Sequence, residues 1–162
     1  MEDYTYLSNM DGHDDFPPAR TAEYLLNQVM VSLFGCECSS SSQIERKKSN
    51  MSFVLNRKPD KKEEKNIELR MNELISADMP VTYVYIDRKE LHETEYFERL
   101  SKENADTFKC VKIGDLDACL AIGKYVRSTG QIGRFEILGT NWNQSKMTYR
   151  IRFKVISLRY PR

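Results

Sequence analysis

Histidine is scarce in this 162-residue chain, which has only His13 and His92. Cysteine is little commoner, with four residues at Cys36, Cys38, Cys110 and Cys119. So few cysteines in a chain of this length do not make a secreted disulfide framework. The spacing Cys36-Glu37-Cys38 is too tight for a zinc knuckle. Free thiols, buried or half-buried, are the reading, and no metal site is expected. Long apolar runs are also missing: nothing approaches the roughly 18 consecutive apolar residues of a membrane helix, so no membrane partner is expected. Residues 1–16 lack lysine and arginine and carry five acids. The stretch "MEDYTYLSNMDGHDD" is therefore not read as a secretory signal or mitochondrial presequence. A cytoplasmic location is expected, with a nuclear one left open.

What is present fits an ordinary folded domain, 40% hydrophobic and 30% charged, with a mean hydropathy of −0.61. The length is enough for one sizeable core. Residues 1–16 read as an acidic flexible arm and 17–162 as a single domain, with a Ser-rich loop at 36–50. The net charge is only +1, yet nine Lys and Arg follow from Lys124 onward against one acid, Glu136. The C-terminal third therefore carries a positive field, compatible with a nucleic-acid partner.

Periodicity places the elements. In "PPARTAEYLLNQVM" two prolines suit a helix entry. Ala22, Leu25, Leu26, Val29 and Met30 then recur at helical spacing, continuing to Leu33 and Phe34 before Gly35 stops the helix. Arg20 and Tyr24 lie one turn apart on this helix. "MSFVLN" reads as a strand. Asp60 is placed to cap a second helix whose buried side is expected at Ile67, Leu69, Met71, Leu74 and Ile75, with Met79-Pro80 ending it. "VTYVYI" reads as a strand and "ETEYFERLSKEN" as a short helix. "FKCVKIGDLDACLAIGKYV" reads as one or two strands with a turn. A hairpin follows, "QIGRFEILGT", a turn through "NWNQS", then "KMTYRIRFKV". The expected fold is α+β, with helices packed on one side of a twisted, mainly antiparallel sheet.

In the last strand, Met147, Tyr149, Ile151, Phe153 and Val155 alternate with Thr148, Arg150, Arg152 and Lys154. The sheet then has an apolar and a basic face. Arg127, Arg134, Arg150, Arg152 and Lys154 are candidate phosphate contacts for RNA. A solvated outer face that discourages aggregation is the equal alternative.

The order "RTAEYLLNQVM", "NIELRMNELISADMPVTYVYIDRKE", "GDLDACLAIGKYVRSTGQIGRFEILGT", "YRIRFKV" resembles the alanyl-tRNA editing domain. That domain is shared by alanyl-tRNA synthetases and freestanding editing proteins, with a more distant relative in threonyl-tRNA synthetases. The resemblance covers residues 18–156, and "VRSTGQIGRFEILGT" is its most specific part. It implies the family's α+β fold and, for active members, hydrolysis of the ester joining a wrong serine or glycine to alanine tRNA. Their zinc site is built from a His-x-x-x-His pair and a Cys-x-x-x-His pair. Laid on this sequence, the first pair falls on Arg20 and Tyr24 and the second on Ala121 and Tyr125, so all four ligand positions are replaced. Cys119 lies two residues before the expected cysteine.

The resemblance thus implies a dismantled metal pocket. Tyr24 and Tyr125 are expected to stack or hydrogen-bond across it, with Arg20 reaching Glu23, Asp117 or a phosphate. Thr21 and Thr129 keep the family pattern, and with Asp117 or Glu23 they are the residual catalytic candidates. The expected function is a non-catalytic module, without metal or small-molecule cofactor, that binds tRNA, ribosomal RNA or a protein partner. Two alternatives remain: a metal-independent aminoacyl-tRNA deacylase, and a purely structural subunit of a complex.

Overall fold

Two consecutive prolines open the first described helix, α1 (Pro17–Phe34). Proline suits this position because its missing N–H would have no helical partner. The computed structural model describes residues 16–87 and 107–157 of the chain. Phe16 precedes α1 in an extended conformation, and its carbonyl accepts from the amides of Ala19 and Arg20. Its side chain is only 1% exposed, with the Arg46 guanidinium 4.8 Å from the ring centroid. Phe16 therefore belongs to the core rather than to an arm; residues 1–15 lie outside the described residues. At the other end Gly35 takes φ 65° and donates its N–H to Val31, an ending that favours a residue without Cβ.

α1 is buried on most of its sides. Ala19, Ala22, Leu25, Leu26, Val29 and Met30 are in the core, and so are Arg20, Thr21, Tyr24 and Asn27. Asn27 satisfies its amide oxygen by accepting from the Ser39 N–H at 2.8 Å.

The second helix, α2 (Lys61–Ser76), starts in a capping box. The Asp60 carboxylate accepts from the Glu63 N–H at 2.7 Å, and the Glu63 carboxylate accepts from the Asp60 N–H at 3.0 Å. Ile67, Met71 and Ile75 are buried at four-residue spacing. Leu69 corrects the expected buried face, being 59% exposed. Two residues beyond Ile67 it has turned roughly 200° round the helix.

The described strands form two antiparallel sheets rather than one. The larger contains β1 (Ser41–Gln43), β2 (Ser49–Val54), β6 (Arg134–Asn143) and β7 (Thr148–Ile156), in the order β1-β2-β7-β6. The smaller contains β3 (Val81–Asp87), β4 (Thr107–Ile113) and β5 (Cys119–Leu120), in that order. The segment 36–50, expected as loop, includes β1 and the first residues of β2, with Ser41 opposite Ser52. The expected helix "ETEYFERLSKEN" falls outside the described residues.

The alternation in β7 behaves as period two demands: Tyr149, Ile151, Phe153 and Val155 are buried, while Arg150 and Arg152 are exposed. Its inner face joins Met51, Phe53, Phe135, Leu25 and Met71 in one core cluster. β6 runs into the expected turn as far as Asn143, and Met147 takes φ 51° in the reversal that follows.

Among the described strands β6 lies at an edge of the larger sheet, and α2 covers its open hydrogen-bonding positions at Phe135 and Ile137. Asn72 accepts from the Phe135 N–H at 2.9 Å and donates to the Phe135 carbonyl at 3.0 Å. Glu68 accepts from the Ile137 N–H at 2.8 Å. One turn earlier, Glu64 accepts from the hydroxyls of Thr140 and Tyr149, each at 2.6 Å.

Candidate functional site

Arg20, Thr21 and Tyr24 reach the site from α1. Asp117, Ala121 and Tyr125 come from the chain around and after β5. Four hydrogen bonds join or fix these segments. The buried Thr21 hydroxyl donates to the Pro17 carbonyl at 2.8 Å and accepts from the Val126 N–H at 3.0 Å. The Tyr24 phenol donates to the main-chain carbonyl of Asp117. The Tyr125 phenol oxygen accepts from the Ile122 N–H at 3.0 Å, closing a tight loop of its own.

The two phenols thus take separate partners instead of stacking on each other. The Tyr125 ring meets Tyr83 edge-on, with centroids 6.3 Å apart. Arg20 bonds the Glu23 carboxylate at 2.9 Å, one turn along the same helix. Asp117 enters through its carbonyl, while the residue itself is exposed. Ala121 donates its N–H to the Lys109 carbonyl at 3.1 Å.

Thr129 makes a separate set of bonds. It sits in a short 3-10 turn (Thr129–Ile132) and is fully buried. Its hydroxyl donates to the Leu74 carbonyl at 2.8 Å and accepts from the Met79 N–H at 2.9 Å. These bonds tie that turn to the end of α2 rather than to the Arg20–Tyr24 group.

Burial fixes the protonation states here. It raises the Tyr24 and Tyr125 phenols well above their ordinary value, so both stay neutral. Burial, followed by the neighbouring Cys38, Cys110, Asp117 and Glu23, pushes the Cys119 thiol up to about 12. At neutral pH it therefore rests as the neutral thiol. Among the described residues, no group of three or more His, Cys, Asp and Glu could hold a metal ion. A cavity of about 230 Å³ lies between the end of α1 and the β2–α2 connection, beside Phe34, Cys36, Leu55 and Arg57. It contains none of the candidate residues.

Four of the five basic candidates share the outer face of the larger sheet. Pairing of Arg134 with Ile156 puts it on the side of Lys154, Arg152 and Arg150. Glu136 lies 3.5 Å from both Arg134 and Lys154. Arg152 lays its guanidinium over Gly139, where a Cβ would collide with it. Arg150 stands opposite Asn141 on one side and Ser52 on the other. Arg127 is apart, in the connection whose carbonyl accepts from the Val81 N–H at 2.8 Å.

Two polar features escaped the sequence reading. Glu64, Glu68 and Asn72 recur every four residues beside the apolar stripe of α2, a pattern visible in the sequence but identical to a solvated helix face. Tyr83, Tyr85 and Lys109 come together only through β3–β4 pairing.

Among the described residues the architecture is α+β, two helices with two antiparallel sheets, and no helix among them is long and apolar enough to cross a membrane. No protein-family model matches the chain. It is similar to a segment of alanine–tRNA ligases. With that of Treponema denticola it is 28% identical over 116 residues, 71% of this chain and 19% of the ligase. With that of Methanococcus vannielii the identity is 27% over 124 residues, 74% of this chain and 14% of the ligase. With that of Leuconostoc citreum it is 22% over 131 residues, 80% and 15% respectively. The chain therefore spans less than a fifth of these curated relatives.

Proposed function

We propose that this chain is a zinc-less, non-catalytic counterpart of the alanyl-tRNA editing domain, comprising residues 17–162 and acting in translation by binding RNA, with tRNA as the first candidate. The observation that carries this reading is the state of the four positions aligned with zinc ligands. Arg20 is a cation ion-paired to Glu23, and Ala121 has no side-chain donor. Tyr24 and Tyr125 are phenols kept neutral by burial, each already hydrogen-bonded to main chain. This set does not fit a zinc ion, which takes thiolate, imidazole or carboxylate. Thr21 and Thr129 spend their hydroxyls on buried main-chain groups, so neither forms a nucleophile–base pair.

The binding half of the proposal rests on the outer sheet face. Arg150 and Arg152 are exposed there, beside neutral Asn141 and Ser52, and Arg134 and Lys154 extend the row. Such a row positions a phosphate backbone without reading sequence. Similarity to alanine–tRNA ligases supports tRNA among the RNAs.

The test is deacylation of mischarged Ser-tRNA(Ala), with zinc content and tRNA binding measured on the same preparation. Expected are no hydrolysis above the uncatalysed rate, no stoichiometric zinc, and salt-sensitive tRNA binding. Hydrolysis that survives chelator and is lost in Asp117→Asn would overturn the reading in favour of a metal-independent deacylase. Failure to bind tRNA or ribosomal RNA, with a stoichiometric protein partner instead, would make the chain a structural subunit.

A further inference from the structure

Tyr83 and Tyr85 stand two residues apart on β3, so both rings are on one face of the smaller sheet. They are 42% and 70% exposed. Lys109 lies directly opposite Tyr85 on β4 and leans along the sheet, placing its ammonium 4.4 Å from the Tyr83 ring centroid. Past Tyr83 the same face continues to Tyr125, which props the Tyr83 ring edge-on. Past Tyr85, in the other direction, come Asp87 and Thr107, where a carboxylate disfavours phosphate. The surface is thus a pair of rings with one cation beside them and a defined direction, from Tyr85 toward Tyr125.

Rings in water with an adjoining ammonium match the two halves of a nucleotide. An unpaired base offers a π-face to a tyrosine, and its phosphate takes the cation. A base inside a duplex is already stacked on its neighbours and cannot use the ring. An aliphatic protein surface would find no comparable use for Lys109, and leaving that ammonium buried would be costly.

We propose that this face of the three-stranded sheet is a stacking platform for single-stranded RNA, with one base on Tyr85 and its phosphate at Lys109. The inference rests on the RNA-binding reading above and deepens it, because the arginines of the β6–β7 hairpin hold phosphates in any RNA whereas Tyr85 selects unpaired bases.

The experiment is fluorescence anisotropy with a short labelled single-stranded RNA and a duplex of the same sequence. In Tyr85→Leu, single-strand affinity is expected to fall about tenfold and duplex affinity to stay unchanged, while Tyr85→Phe stays within about twofold of the native protein. Lys109→Gln should lower the salt slope for the single strand by about one. Thermal melts establish that these exposed positions leave the fold intact. If Tyr85→Leu binds the single strand as the native protein does, while Arg150→Ala/Arg152→Ala weakens both RNAs, the platform is overturned and the RNA-binding reading stands. If the native protein binds neither RNA, both fall, and the Tyr83–Tyr85 face passes to a protein partner.

Discussion

The side-chain amide of Asn72 on α2 completes the hydrogen bonding of Phe135 on β6, accepting from its N–H at 2.9 Å and donating to its carbonyl at 3.0 Å. One turn earlier Glu68 accepts from the Ile137 N–H in the same manner. An edge strand offers these groups to any passing chain unless something covers them. Here a helix side chain does so, anchored by burial of Ile67, Met71 and Ile75 on the adjoining stripe.

Asn72→Ala is therefore expected to destabilise the protein by about 1–3 kcal/mol, because it leaves two partly buried main-chain groups without partners. Glu68→Ala should cost a similar amount. Leu69→Ala, on the exposed side of the same helix, should stay within about 0.5 kcal/mol. Urea unfolding of the three variants checks this. Equal, small effects at all three positions would show that the edge is not being covered in this way.

Alkaline pH should reveal the buried phenols. Tyr24 and Tyr125 are raised by burial, and Tyr149 by burial and then by its bond to Glu64. A raised folded value means stability is fully present below the unfolded value of about 10 and declines as pH rises beyond it. Unfolding free energy measured from pH 8 to 11 should fall along its upper limb. Tyr24→Phe should flatten that limb by one proton while costing about 1 kcal/mol at neutral pH through removal of the bond to Asp117. In a phenolate absorbance titration, at least these three of the nine tyrosines should ionise only on unfolding.

The start of α2 makes the opposite prediction at acid pH. Two bonds from Arg57, each 2.7 Å, and one from the Asp60 N–H hold the Glu63 carboxyl down at about 2. A lowered folded value contributes stability above the ordinary carboxylate range, lost as pH falls through about 2. Arg57→Gln should move the Glu63 titration, followed by NMR, back toward the ordinary range. Asp60→Ala should cost about 1 kcal/mol by removing the cap.

On the outer sheet face, Arg150→Ala/Arg152→Ala should change stability by less than about 0.5 kcal/mol, since both residues are exposed. The same double substitution should weaken tRNA binding and lower its salt slope by about one for each phosphate no longer neutralised. Unchanged affinity and slope would remove this face from the RNA interface.

Periodicity alone determined much of this protein. The two helices, the Gly35 stop, the Asp60 cap and the two faces of β7 follow from local rules: a 3.6-residue turn, a two-residue pleat, and the few residue types that satisfy a helix end. Tertiary structure decided the rest, because burial of a polar side chain depends on what packs beside it. Glu64, Glu68 and Asn72 have the sequence pattern of a solvated face, and only the arrival of β6 makes them partners of an edge strand. Likewise the four-residue spacing of Arg20 and Tyr24 identified one helix turn, but not that α1 would be buried on most sides. The Glu23 carboxylate and the Asp117 carbonyl, one nearby and one distant in the chain, decided how those two residues are satisfied. Division of the strands into two sheets, which sets Tyr83, Tyr85 and Lys109 on a common face, was equally invisible beforehand. A single strand's alternation tells which residues share a side, while cross-strand pairing tells what stands opposite them.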